Sequence, residues 1–588
     1  MSPTPKRWEV APPVPRSYLE RFSHLNPIIS QILYNRLLVE PDDVDAFLTG
    51  RARLDDPFRM LGIRLAVERI RAAVQERQKV VVYGDFDADG VTATALLVEV
   101  LNALGADVEP YIPHRVDEGY GLNCDALDKI TQTGARLVVT VDCGIRSPVE
   151  VAYANRAGLD MIVTDHHSIA RGALGGEELP PALAVINPRR DNDPYPFKDF
   201  AGVGVAFKLA QALLLAEGES PVAPTPLRLS EQDLLDLVAL GTVADLAPLL
   251  DENRWLVQRG LAMLNQSRRP GVQAMLSEAG VQSGRVDAAA IGFVLGPRIN
   301  AAGRLSSAVL SYQLLTAPDL STAVPLAAKL GQLNRLRQKR TLELVGLAKE
   351  RIVQEGLNRY LYLVGGVEFP SGIVGLVAGK LAEDLYRPVL VVEWGETTSR
   401  GSARSIPEFD ITRALDACRD LLVRHGGHAA AAGFTVANEN LGELRRRLEQ
   451  IAESNLADKD LLPKVQVDAE VGLAEMDWAV AELLAQLEPF GNANLQPVFA
   501  SLGLEVVGER VLGQEGQHLK LTVRDPGATG PAARRVWDAI AFRQGEWFGQ
   551  LPTRVDLAYS LEINEFNGKT RLQLNVRDIR PTSKGDKK

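Results

Sequence analysis

From residue 79 the chain alternates short, unbroken apolar runs with helical patterns, and three of the apolar runs lead into aspartates. KVVVYGD reads as a strand, VTATALLVEVLNALG as a helix, DVEPYIP as a strand, CDALDKITQTG as a helix and RLVVTVD as a strand. The helix SPVEVAYANRAG and the strand DMIVTD follow. Continuous apolar strands joined by helices predict a parallel sheet covered on both faces. In open sheets of this kind ligands bind at the carboxyl ends of the strands. The residues there should therefore converge: Asp85, Asp87 and Asp89 in GDFDADG, Asp142 in VDCG, and Asp165, His166 and His167 in TDHH.

At 588 residues the chain exceeds what one hydrophobic core can organise. Leu- and Ala-rich helical segments continue to about residue 317. Leu330, Leu333, Leu336, Leu344, Leu347 and Ile352 then fall mostly at three- and four-residue steps, which predicts a long connector helix over about 326–356. A second α/β unit begins at YLYLVGG. After LLPKV the period becomes two, with Val555, Leu557, Tyr559, Leu561 and Ile563, then Leu572, Leu574 and Val576, as in a small β-barrel. The expected fold class is α/β multidomain. Its parts are an N-terminal extension (1–45), a catalytic α/β domain (46–317), a connector helix (318–358), a second α/β domain (359–460), a β-barrel (461–582) and a polar tail (583–588).

Hydrophobic residues at 46% and charged residues at 24% are ordinary for a globular chain. No run approaches a transmembrane helix, the N-terminus has no apolar signal core, and Cys124, Cys143 and Cys418 form no CxxC pair. A cytoplasmic protein without a disulfide framework or thiolate zinc site is expected. A net charge of −10 argues against a nucleic-acid partner only on average. Residues 329–359 carry eight Lys or Arg against three Glu, a basic stripe that permits an anionic polymer as substrate.

Carboxylates at alternate positions raise one another's pKa unless a cation neutralises them, so GDFDADG suggests a divalent metal. An EF-hand loop would need Glu where this chain has Leu96. A haloacid-dehalogenase-type phosphatase would use Asp87 as nucleophile and Asp89 as acid, but has no use for the adjacent histidines. A lone strand-end Asp is usually a helix N-cap, and a lone His usually a hydrogen-bonded structural residue. Their joint occurrence on several strand ends points to a metal, with Asp245 in GTVADLAPL as a further candidate ligand.

With these motifs in place the chain resembles the DHH phosphoesterase superfamily. Within it the likeness is to the RecJ branch, the single-strand-specific 5′→3′ DNA exonucleases. DFDADG, VDCG, TDHH, GTVAD, PRINAAGR, GIVGLVAGKL, GSAR and GGHAAAAGF occur in that order over most of the chain. The resemblance implies a DHH catalytic domain, a DHH-associated domain and a terminal OB-fold barrel. It implies one ion held by Asp87, Asp142, His166 and Asp245, and a second held by Asp85 and the bridging Asp142. Some relatives place a histidine where this chain has Tyr83, so the second site should be weaker here. Asp89, Asp165 and His167 would support the ligands or meet the phosphate, His167 counting among the catalytic residues. Carboxylate and imidazole donors without thiolate suit Mn²⁺ or Mg²⁺.

The resemblance further implies a pocket for the terminal 5′-phosphate, drawn from Arg115, Arg298, Arg304, Ser371, Ser402 and Arg404, with His428 next to the metals. The bland alternative for GGHAAAAGF is the tight start of a helix. Trp537, Phe542, Phe566, Lys569 and Arg571 are candidate strand contacts on the barrel. The implied activity is hydrolysis of single-stranded DNA from its 5′ end by two ions, releasing 5′-mononucleotides, in repair and recombination. Implied partners are single-stranded DNA, a single-strand-binding protein and a RecQ-type or other helicase, with no membrane, for a monomer. Two rival classes share the metal shell or the fold: a DHH phosphodiesterase for short oligonucleotides or cyclic dinucleotides, and a non-catalytic replication scaffold.

Overall fold

The computed structural model describes residues 5–582, apart from 52–53, 116, 173–174, 267, 514, 531–533 and 567. Its contacts divide it into two units. The larger comprises 53–461 with 491–493; the smaller comprises the residues up to 52, 462–490 and those from 494 onward.

The larger unit is built on two sheets. The first runs in the order Asp107–Tyr111, Lys79–Tyr83, Leu137–Val141, Asp160–Thr164, Ala184–Ile186, all parallel. Val80, Val82, Leu137 and Val139 face helices Ile63–Gln75, Ala88–Ala103 and Gly202–Glu219 in one core; Val81, Tyr83 and Val138 face Cys124–Gln132 and Pro148–Arg156 in another. Period-two alternation is lost because both faces are buried. Lys79–Tyr83 comes first in the chain but lies between the next two strands. The connections from it and from Leu137–Val141 thus diverge, which opens a crevice at their carboxyl ends. Asp85, Asp87 and Asp142 follow these two strands directly.

The connector helix spans Leu320–Glu355 and runs upstream through Pro325 to Asp319, whose side chain accepts from Thr322 N–H. It leads to the second sheet, ordered Leu422–His428, Ala431–Ala437, Thr398–Arg404, Val389–Glu393, Tyr362–Gly366, with only the last pair parallel. GGHAAAAGF is not the start of a helix. It forms the antiparallel hairpin of Leu422–His428 with Ala431–Ala437, and His428 pairs with Ala431 across the turn.

In the smaller unit Phe499–Leu512, His518–Arg524, Val536–Ala541, Lys569–Pro581 and Arg554–Phe566 follow one another around a barrel, closed by the first pairing with the last. Residues 1–45, read from sequence as an extension, belong largely to this unit's fold. Arg7–Val10 pairs in parallel with Lys464–Val467. Tyr18, Phe22, Ile29, Ile32 and Leu33 share a core with Leu519, Leu557 and Tyr559. Helices as short as Arg16–Arg21 and Pro27–Asn35 are marginal alone and gain their stability from this packing. The polar tail lies outside the described residues. Among those described, no helix is long and apolar enough to cross a membrane.

Candidate active site

The first acidic loop is shaped by local hydrogen bonds. Asp87 is the N-cap of Ala88–Ala103, its Oδ1 accepting from the N–H of Asp89 at 3.0 Å and of Gly90 at 3.2 Å. Gly90 allows the helix to close on Asp85, since a Cβ there would lie 2.6 Å from the Asp85 backbone. Asn300, in Gly296–Leu305, accepts from Ala88 N–H at 2.8 Å and braces the loop from outside. Asp89 is engaged elsewhere: its two oxygens accept from Gly202 N–H at 2.6 Å and Val203 N–H at 2.8 Å, at the N-terminus of Gly202–Glu219.

Asp142 leaves its strand with φ 61°, a left-handed conformation costing a non-glycine residue about 1–3 kcal/mol. Gly202 packs directly against it, where a Cβ would meet the Asp142 Cβ at 2.5 Å. His166 Nε2 lies 3.1 Å from Asp142 Oδ1, 3.8 Å from Asp89 Oδ2 and 3.9 Å from Asp245 Oδ2. Asp165 organises the turn. Its Oδ1 accepts from the N–H groups of His166 and His167 and meets His167 Nδ1 at 2.7 Å, while Oδ2 accepts from Ile145 N–H. Tyr120 Oη sits 3.2 Å from His167 Nδ1. Tyr83 is fully buried and its hydroxyl donates to the Gly121 carbonyl, so it offers no ligand.

Possible ligand atoms lie in overlapping groups within 4.8 Å: Asp85, Asp87 and Asp142; Asp142, His166 and His167; Asp89, His166 and Asp245. Burial, then the neighbouring carboxylates, pushes Asp85 and Asp142 well above the usual carboxylate range. The same causes raise Asp89 to about 7 and Asp245 to about 8. Burial and the His167 charge lower His166 to about 3, which keeps it a neutral donor. His167 rises to about 9 against its burial, through the hydrogen bond and charge of Asp165. Asp85 Oδ1, Asp142 Oδ1 and His166 Nε2 are buried with no hydrogen-bond partner. Unsatisfied oxygens and an imidazole nitrogen converging without thiolate fit a Mn²⁺- or Mg²⁺-type cation.

Beside this cluster lie arginines. The Arg115 guanidinium stacks on Phe86, Cζ 3.8 Å from the ring centroid, with Nε buried and unpaired. Arg304 donates to the Gly372 carbonyl at 3.2 Å, at the start of Ser371–Leu385. Arg404 donates to Ser402 Oγ at 2.9 Å. Burial and the charges of Arg115 and Arg337 lower Arg304 to about 9, with Asp87 the nearby counter-charge. Arg298, grouped with them from sequence, is instead tied to Glu278 at 2.9 Å and donates to the Val294 carbonyl. His428 is exposed, and Arg146, His167 and Arg189 act on it electrostatically. Sequence alone does not single out Asn300 or Tyr120 as site residues, and it offers Arg337 as one of several cations on the connector helix at the edge of the cleft; Asn300 lies inside a motif, PRINAAGR.

On the barrel Trp537 is buried under Arg535 and belongs to the core, so it is no stacking platform. Phe542, Lys569 and Arg571 are exposed. The side chain of Phe566 lies outside the described residues.

Three family models match the chain: the DHH family N-terminal domain over 79–242, the DHHA1 domain over 358–454 and the RecJ OB domain over 467–578. The single-stranded-DNA-specific exonuclease RecJ of Bacillus subtilis is 37% identical over 97% of this chain and 70% of its own length. The protein of the same name from Escherichia coli is 35% identical over 95% of this chain and 96% of its own. The crystal structure of RecJ in complex with Mn²⁺ from Thermus thermophilus superposes with TM-score 0.81 at 30% identity, over 98% of this chain and 80% of that one. A Mg²⁺ complex from the same organism gives 0.74 at 28% identity, over 98% and 79%. With its strand-end carboxylates, its DHH turn and this coverage, the chain belongs to the RecJ family of single-stranded-DNA-specific exonucleases.

Proposed function

We propose that this chain hydrolyses single-stranded DNA from its 5′ end and releases 5′-mononucleotides. The observation that carries the direction is the half-buried set Arg115, Arg304 and Arg404, in which Arg115 acts on Asp85 and Asp87 and Arg304 on Asp87, with fewer carboxylates than cations. Such a pocket suits the oxygens of a terminal phosphate, which arginine can bind bidentately. Ser402, already paired with Arg404, and Ser371, at the N-terminus of its helix, complete it.

Asp87, Asp142, His166 and Asp245 would hold one ion, and Asp85 with Asp142 a second. When bound, a pair of Mn²⁺ or Mg²⁺ ions supplies an activated water and stabilises charge on the phosphate. Asp165 fixes the direction of His167, which keeps its proton at neutral pH and can donate it toward a phosphate oxygen. Asp89 locks the N-terminus of Gly202–Glu219 and so holds Gly202 against Asp142. His428, on the second sheet, would meet a phosphate of the strand beside the DHH turn. Phe542, Lys569 and Arg571, on the barrel unit, would bind single-stranded DNA. The activity serves DNA repair and recombination in the cytoplasm, where a single-strand-binding protein and a helicase would supply the strand.

The test is Mn²⁺-dependent digestion of single strands labelled at either end. Release of label from a 5′-phosphorylated end, and resistance of a blocked 5′ end, is expected. Equal digestion of free and blocked 5′ ends would remove the terminal pocket.

A further inference from the structure

Two arginines outside every motif used so far are tied to the DHH turn and its next residue, one directly and one through Asn187. Arg146 Nε donates to the Ser168 carbonyl at 2.8 Å, and among the described residues no carboxylate lies within ion-pair distance of its guanidinium. Arg189 follows Asn187, whose side-chain amide donates to the His167 carbonyl at 3.0 Å and whose Oδ1 accepts from Arg189 N–H at 2.9 Å. Its guanidinium donates to the Lys198 carbonyl at 3.4 Å and pairs with Asp199 at 3.2 Å, the latter a half-exposed contact of the kind worth little in water. Arg189 acts electrostatically on His166, Asp245 and His428, and Arg146 on His428. Arg115, by contrast, acts electrostatically on Asp85 and Asp87, and Arg304 on Asp87. The carboxylate cluster is therefore flanked by cations twice, on its Asp85–Asp87 side and on its histidine side.

We propose that Arg146 and Arg189, with His428 facing them, form a second phosphate subsite, for the first internucleotide phosphate on the 3′ side of the scissile bond. A strand whose 5′-phosphate sits with Arg304 and Arg404 must cross the carboxylates and leave along the histidine turn. This rests on the 5′-end reading above. The neighbouring elements place backbone carbonyls and arginine side chains there, so the contact is to charge and not to a base. It gives the cleft a second grip that a mononucleotide product lacks: once the bond breaks, the released nucleotide keeps only the terminal pocket, while the shortened strand keeps the new subsite.

The test uses the full chain with Mn²⁺ and 5′-phosphorylated oligothymidylates in which one linkage carries an uncharged methylphosphonate. Neutralising the linkage between the second and third nucleotides should raise KM of the parent about tenfold, on the scale of one phosphate left ungripped. The double variant Arg146→Gln/Arg189→Gln should show that raised KM on unmodified DNA and no further response to the methylphosphonate. Its salt dependence should be shallower by about 0.7 for each phosphate of the single strand that is no longer neutralised. Unchanged Mn²⁺ affinity and thermal unfolding separate this from a disturbed turn, and Arg189→Gln alone, which leaves the Ser168 hydrogen bond intact, should give part of the effect. A parent that digests DNA but ignores the methylphosphonate, or a double variant as sensitive to it as the parent, overturns the subsite. A parent that digests no single-stranded DNA overturns instead the function on which it rests.

Discussion

Asp142 carries more constraints than any other residue of the site. Its backbone is left-handed, Gly202 presses on its Cβ, and its Oδ1 is buried beside His166 without a hydrogen bond. Asp142→Ala should lower Mn²⁺-dependent hydrolysis by far more than the ~10–100-fold typical of losing an outer partner of a metal site. The metal-free protein should unfold at an equal or higher temperature, because a crowded carboxylate has gone; activity assays with and without chelator, together with thermal melts, check both. The pH dependence has a definite sign. Asp245 titrates at about 8 in the metal-free fold, and His167 at about 9. Folded pKa values above the unfolded ones contribute stability that is present at low pH and lost as pH rises through them. His166, at about 3, has the opposite sign, but its contribution is lost only as pH falls below its ordinary range. Chelated protein should thus lose thermal stability between about pH 7 and 9, and the rise in melting temperature on adding Mn²⁺ should grow over the same range, since binding displaces those protons. A Mn²⁺ effect that shrinks with pH would contradict this assignment.

The connector helix, Leu320–Glu355, shows how one element can divide its charges. Arg335 is spent on Glu278 at 2.6 Å, whereas Arg337 has a buried, unpaired Nε and acts on Arg304. Arg337→Ala should raise KM for 5′-phosphorylated strands severalfold, and Arg335→Ala should leave it within about twofold, as for most exposed ion pairs. The sequence shows the basic stripe but not this division, because Glu278 comes from another helix. The pairing of Arg298 with the same Glu278 is hidden from the sequence for the same reason. The strand-end aspartates and the DHH turn are legible because alternation of strands and helices predicts which residues share one edge of a sheet. The hairpin of GGHAAAAGF is not, since small residues carry no period. Trp537 is offered by the sequence as a strand contact although core is the commoner fate of any one barrel aromatic, and the barrel's closure decides its side.

At the scale of the molecule, acidic bulk and a cationic cleft favour phosphate contacts over base reading. A stiff duplex should not enter where a flexible strand does. Blunt duplex and duplex with a recessed 5′ end should resist the purified protein while 5′-tailed DNA is shortened, at matched salt; rapid loss of blunt duplex would refute the filter. The first 45 residues offer a separate test. Ile32 and Leu33 are wholly buried in the barrel unit's core. Leu33→Ala should cost about 2–5 kcal/mol of that unit's stability, the range for a core truncation, read from its own unfolding transition, with hydrolysis of very short strands less affected than binding of long ones.

The pairing of Arg7–Val10 with Lys464–Val467 also sets an order of events during synthesis. The earlier-made segment has its partners in one made much later. At about 5–20 residues per second, the opening helices leave the ribosome tens of seconds before the barrel that buries their apolar faces. Everything needed for the carboxylate cluster has emerged by then. The nascent chain thus completes its cutting machinery before the unit we assign to holding the strand, and carries an uncovered apolar segment in the interval. Chaperone capture of stalled chains should be strong at lengths up to about residue 460 and should fall once Lys569–Pro581 is out.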